Sequence, residues 1–249
     1  GGPGFKIEYN VPDCLGGYAV TKAGSGQVIG CYTTKEHAER IRNIRIMEGL
    51  GDRTNVMILP SYLPLDMTET RDSIQNIMED ETFWKSVDNP HLIEYWNSDY
   101  VLINILKSLY VTHAINSEVI KTDLTAWIDF GYVRTIETLP KSLEWKYPFD
   151  KDKMHMFNMR EIEPERPISD IIKTGDVYTQ GCHIVGGVSV WPTFMQLMIY
   201  NMNMLIQNNM IDDDQTMMLM SYLSKPEMFE LRYNSPDDWF RIFKDYNNA

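Results

Sequence analysis

The chain has 249 residues, 43% of them hydrophobic and 23% charged, with a formal net charge of −12. A chain of this length buries roughly three quarters of its unfolded surface and folds without staples, so one domain spanning residues 1–249 is expected. The acidic balance, with no basic run, excludes a surface for long nucleic acid, and no apolar run approaches the ~18 residues of a membrane span.

The opening "GGPGFKIEYN" lacks the basic end and apolar core of a signal peptide. "GGYAVTKAGSGQVIGCY" reads as two β-runs around a glycine-rich turn. No helix follows "GSGQVIG" directly, so it is a hairpin turn and not a phosphate loop. "TTKEHAERIRNIRIM" then reads as a helix capped by Thr34, with His37, Ala38, Ile41 and Ile44 along one side. "TNVMILPSY" is a short strand ended by Pro60. After Asp66, "MTETRDSIQNIMED" is helical, with acids in its first turn.

"EYWNSDYVLINILKSLYVTHAIN" carries the strongest helical signal, with Tyr100, Ile103, Leu106, Leu109 and Tyr110 at three- and four-residue steps. "TAWIDF" and "KMHMFNM" are strands, and "GCHIVGGVSV" is a strand interrupted by glycines. Between the last two, "REIEPERPISD" is a surface loop. Pro192 opens the helix "PTFMQLMIYNMNMLIQNN". A further helix starts near "DDDQTMMLMSYL", and "SPDDWFRIFKDYN" is a short amphipathic helix opened by Ser235 and Pro236. This alternation predicts an α/β protein with a mixed, mostly parallel sheet flanked by helices. Cys14, Cys31 and Cys182 are odd in number and widely spaced, which suits neither a disulfide framework nor a metal knuckle. Reduced thiols and a cytoplasmic setting are the expectation.

The chemistry concentrates in a few segments. In "LTAWIDFGYVR" a strand runs into the lone carboxylate of Asp129, and Gly131 frees the backbone just beyond. Ligands of open α/β sheets sit beyond the carboxyl ends of the strands. Asp129 is therefore placed for a divalent cation or a ribose hydroxyl, or else it caps the next turn. "IDDDQT" puts Asp212, Asp213, Asp214 and Gln215 at a helix start, where Asp212 is the natural N-cap. Three adjacent carboxylates exceed what capping needs, and one could orient or deprotonate an attacking hydroxyl. Gly186 and Gly187 mark either a bulge or a close approach of backbone to a sugar or phosphate. Lys107 precedes the "WIDFG" strand, on a helix, and is placed either to balance leaving-group charge or to sit in solvent. Asp99 and Tyr100 lie on the same helix. His183 is the one histidine whose neighbours suit a metal, and His155 reads as a satisfied core or edge residue. The stripe of Met195, Met198, Met202 and Leu205 reads as packing.

Taken together, "EYWNSDYVLINILKSLYV", "DLTAWIDFGYVR", "GGVSVWPTF" and "DDDQTMMLMSYLSKPEMFEL" resemble the bacterial HtrL/YibB-like proteins, which are grouped with glycosyltransferases of the A-type, nucleotide-sugar-binding fold. The resemblance runs from about Thr54 to the end. It extends more loosely to "GQVIGCYTTKEHAERIRNIR" and leaves residues 1–26 poorly matched. It implies an A-type fold and a metal-assisted transfer of sugar from a nucleotide-sugar donor, with a UDP-sugar the expected donor, to a glycan or other hydroxyl acceptor. In that fold a strand-end "DxD" holds Mn2+ or Mg2+ on the diphosphate. Asp129 matches its first aspartate and would be the metal ligand. Gly131 stands in place of the second. Asp214 and Gln215 match a "DQ" pair lining the sugar site, with Gly186, Gly187 and Lys107 also on the donor and Asp213 or Asp214 on the acceptor. The alternative is a non-catalytic binding or scaffold protein that keeps the fold without the chemistry.

Overall fold

The computed structural model describes residues 4–42, 65–140 and 142–248, and the chain falls into two units, Gly1–Ser61 and Tyr62–Ala249. In the first, β1 (Phe5–Tyr9), β2 (Tyr18–Lys22) and β3 (Val28–Tyr32) form an antiparallel meander, and the glycine-rich segment is the expected hairpin turn. Residues 35–42 form α1, with the Thr34 hydroxyl accepting from His37 N. The strand expected at "TNVMILPSY" lies outside the described residues. One expectation fails here. Cys14 and Cys31 are joined in a disulfide, with Cα atoms 5.6 Å apart, while Cys182 stays free. A spacing of 17 looked arbitrary as sequence, but the meander sets the segment before β2 beside β3.

The second unit is built on a four-stranded sheet of β4 (Leu124–Ile128), β5 (Met154–Asn158), β6 (Thr179–Gly187) and β7 (Phe229–Tyr233), ordered β4-β6-β5-β7. β4 and β5 both pair antiparallel with β6, and only β5 with β7 is parallel. The α/β class holds and the sheet is mixed, but the mostly parallel sheet is overturned. Alternation of strands and helices fixes their order along the chain and not the direction in which neighbours pair.

Five longer helices and a terminal turn accompany the sheet among the described residues: α2 (Met67–Glu79), α4 (Ser98–Asn116), α5 (Ile168–Thr174), α6 (Trp191–Gln207), α7 (Asp214–Ser224) and the one-turn α8 (Ile242–Asp245), with a single turn α3 (Glu81–Trp84) after α2. Ile74, Ile105, Phe194, Met202 and Met217 from α2, α4, α6 and α7 pack on Met154, Met156 and Ile184 of the sheet. The opposite face carries Phe157 and Val185, covered by Tyr132, Phe149 and the α8 pair Ile242 and Phe243. One face is thus helical and aliphatic, the other aromatic and covered mostly by loops.

Helix α4 does not show a single stripe. Val101 and Ile105 enter the main core, Leu102, Leu106 and Leu109 enter a second cluster, and Ile103 is 58% exposed. The methionine stripe of α6 is packing, as expected, with Met198 and Met202 in the core. The C-terminal helix is shorter than the sequence suggests. A 3-10 turn at Pro236–Asp238 comes first, held by Ser235 Oγ donating to Asp238 at 2.8 Å.

Candidate functional site

Strand β4 ends at Ile128, and its ladder with β6 closes through Asp129 N donating to Cys182 O at 2.8 Å. Asp129 therefore leaves the sheet at a fixed place, and the chain turns at once into a 3-10 turn, Phe130–Tyr132. Its carboxylate does not cap that turn. Oδ1 accepts from Trp127 Nε1 at 2.6 Å and lies 3.1 Å from Lys107 Nζ, and Oδ2 accepts from Lys107 at 3.3 Å. Residues two apart on a strand face the same side, so Trp127 is positioned by β4 itself to hold this carboxylate. The Asp129 side chain keeps 37% of its surface exposed.

Lys107 rises from the middle of α4 and is 6% exposed at the side chain. It is not a solvated helix lysine. Its ammonium donates to Gly181 O at 2.9 Å, in addition to Asp129, and lies 3.0 Å from Asp214 Oδ2. The ammonium thus makes hydrogen bonds to Asp129 and Gly181 and an ion pair with Asp214. Burial alone would drive its proton off, but the charges of Asp214 and then Asp129 outweigh burial and raise its proton affinity. Burial raises the Asp214 carboxyl, and the Lys107 charge offsets only part of that. The two acidic segments singled out in the sequence thus meet on one buried lysine.

Helix α7 begins here. Asp213, not Asp212, is its N-cap, accepting from Gln215 N at 3.1 Å. Asp212 instead accepts from Asp213 N at 2.8 Å and from the Thr216 hydroxyl at 2.7 Å. The three aspartates are buried, with Asp213 at 8% and Asp214 at 3% exposure, and Gln215 is half-buried. Glu94 joins Asp212 and Asp213, one carboxylate oxygen of each lying within 4.8 Å of the others. Burial raises Asp212 to about 7, and burial followed by the charges of Asp212 and Asp214 raises Asp213 well above its ordinary value. The closeness of these carboxyls alone is not evidence for an ion. Burial, followed by the charges of Asp213 and Asp214, pushes the Tyr100 hydroxyl up to about 12. Asp99 lies apart, in an exposed contact with Arg71 at 3.8 Å.

The glycines divide. A Cβ on Gly181 would lie 2.6 Å from Asp214 Oδ2, so only glycine lets that carboxylate settle against β6. Sequence reading passed over Gly181, because the partner that crowds it comes from a distant helix. Gly186 and Gly187 are crowded by the protein's own atoms. A Cβ would meet Met154 Sδ at 2.3 Å in the first case and Lys151 O at 1.7 Å in the second. They pair with Thr125 and Leu124, at the far end of β4 from Asp129. Gly131 is exposed, and a Cβ there would meet nothing within 4 Å.

The histidines stand outside this site. His155 Nε2 donates to Asp150 O, 2.8 Å away, as a satisfied core residue. His183 is ringed by Tyr132, Trp145, Phe157 and Phe243, and burial lowers it to about 3. It is a neutral member of the aromatic face and belongs to no cluster of three or more ligating groups among the described residues.

A divalent ion at Asp129 fits this donor set poorly. Both oxygens are engaged by Trp127 and Lys107, Gly131 adds no ligand, and the Lys107 ammonium lies between Asp129 and Asp214. Magnesium demands near-octahedral oxygen coordination at about 2.0–2.1 Å, and one outward-facing carboxylate edge does not supply it.

The sequence profile described as "Bacterial protein of unknown function (HtrL_YibB)" matches residues 25–248. Protein HtrL of Escherichia coli (strain K12) is 32% identical over 219 residues, covering 86% of this chain and 74% of that protein. No solved structure matches. No described helix is long and apolar enough to cross a membrane.

Proposed function

We propose that this chain, which belongs to the HtrL/YibB family of bacterial proteins, transfers a glycosyl group from a nucleotide-sugar donor to a hydroxyl acceptor. The observation that carries the reading is the convergence of Asp129 and Asp214 on Lys107, with the Asp129 carboxylate still 37% exposed. Trp127 and Lys107 hold that carboxylate rigidly, so it presents its open edge to a ribose or sugar hydroxyl without reorganising. In the reaction the bond between the anomeric carbon and the diphosphate oxygen breaks. A bond to the acceptor oxygen forms, and the acceptor's proton leaves to a base. Asp213 suits that base by its raised proton affinity. Asp214 acts on Lys107 and is a positioning residue. Positive charge near the departing diphosphate comes from Lys107.

A panel of UDP-, GDP- and CMP-sugars tests the reading by release of the nucleotide, with and without sugar acceptors. Turnover that Asp129→Asn removes supports it, and the absence of release from every donor sinks it. The second reading is a binding protein without the chemistry. The burial of Asp213 and Asp214, and Gly131 in place of a second strand-end carboxylate, favour it. UDP binding without turnover would select that reading. The A-type fold remains part of the proposal, supported by strands, helices and a strand-end aspartate in that order. The Cys14–Cys31 disulfide removes the ground for a cytoplasmic setting and supports an oxidising compartment.

A further inference from the structure

We propose that Lys107 is the resident cation of this site: its ammonium holds the position between the Asp129 and Asp214 carboxylates that a divalent ion would need, and the site works without one. Hydrogen bonds to Gly181 O at 2.9 Å and Asp129 Oδ2 at 3.3 Å hold it, and Asp214 Oδ2 lies 3.0 Å away as an ion pair. The side chain is 6% exposed. A divalent ion bridging the two carboxylates would have to expel Lys107 from its contacts with Gly181, Asp129 and Asp214. An ion on the outer edge of Asp129 alone would face the ammonium across one carboxylate and lose most of the attraction that Asp129 offers. Gly131 is where a second strand-end ligand would stand, and its side of the turn is open. The lysine thus accounts for the missing carboxylate: a site that carries its own cation has no use for a second metal ligand. The catalytic consequence, transfer independent of divalent metal, rests on the transfer reading, whereas the exclusion of metal by Lys107 does not.

Mn2+ binding to the full chain decides the matter directly, read by the loss of the free-ion paramagnetic resonance signal. Wild type and Asp129→Asn are expected to bind Mn2+ equally, any sites elsewhere being common to both. A drop of about tenfold or more in the variant, the loss typical of a disturbed metal site, overturns the inference. Lys107→Met keeps the stem and removes the charge. It is expected to gain Mn2+ affinity by about tenfold or more, and the gain is expected to disappear in Lys107→Met/Asp129→Asn. A soluble Lys107→Met that gains nothing also overturns the inference, and if that variant does not fold, the comparison of wild type with Asp129→Asn stands alone. Where a donor sugar is turned over, the rate should survive EDTA. A rate that EDTA abolishes and Mn2+ restores contradicts the resident cation while leaving sugar transfer intact. Failure of every donor sinks sugar transfer and leaves the Mn2+ comparison to judge Lys107.

Discussion

Lys107 and Asp214 meet 3.0 Å apart, with side chains 6% and 4% exposed, although one lies mid-helix in α4 and the other in the first turn of α7. Removing one partner of such a pair leaves a buried charge uncompensated, which costs about 3–5 kcal/mol. Lys107→Met should therefore lower the urea-unfolding free energy by about that amount. Adding Asp214→Asn should recover part of the loss, because the orphaned carboxylate is then gone. Equal destabilisation by the single and double variants would show that the pair is not coupled.

Gly181 and Gly131 should respond oppositely to alanine. At Gly181 the new methyl falls 2.6 Å from Asp214 Oδ2, so the carboxylate must move off the lysine. The cost is expected at about 1–3 kcal/mol, the range for overpacking. At Gly131 the methyl meets open space and the backbone is not left-handed, so the change should stay within about 0.5 kcal/mol. Thermal and urea denaturation of both variants check this contrast.

The buried acids give the stability a pH dependence of defined sign. Asp212 has its carboxyl raised from 3.8 to about 7 in the folded protein. Between those values the folded state binds more protons than the unfolded state, so this group's contribution falls as pH rises. Below 3.8 the carboxyl is protonated in both states and carries no penalty, and above about 7 the penalty is complete. Asp213, raised in the same direction by burial, adds a loss of the same sign. Asp212→Asn should flatten the decline, measured as unfolding free energy at pH 5 and at pH 7.5. An unchanged slope would mean that Asp212 titrates normally.

The Cys14–Cys31 bridge closes a loop of 17 residues in sequence separation. Its removal by Cys14→Ser with Cys31→Ser should cost about 3 kcal/mol by loop-closure entropy. That loss falls on the first unit, where both cysteines lie. Free thiols counted on the unfolded, unreduced protein should number one, Cys182. Three would return the chain to the reduced state that cysteine spacing alone suggests.

Much of this site can be found in the sequence, because Asp129, Lys107 and Asp214 each break a local expectation. A lone carboxylate ends an apolar strand, a charge interrupts a helix with leucines and isoleucines around it, and three acids crowd a cap. Their meeting is not legible, since it depends on the register of β6. Gly181 sits beneath Asp214 because of that register, and nothing local marks it. Trp127 was within reach, as it stands two residues before Asp129 on the same strand face. The direction of pairing was hidden for the same reason as the register. β7 escaped because "FELRY" is short and mixed in polarity, and it is set against β5 only by the tertiary fold. Ile103 shares the three- and four-residue steps of α4 yet is exposed, because the helix packs on two sides, which blurs its period.

A structure of the protein soaked with a UDP-sugar tests the central claim most directly. The account predicts a ribose or sugar hydroxyl within about 2.6–3.2 Å of the Asp129 carboxylate, with Lys107 still seated between Asp129 and Asp214. A nucleotide-sugar bound elsewhere while Asp129 faces only water would contradict it.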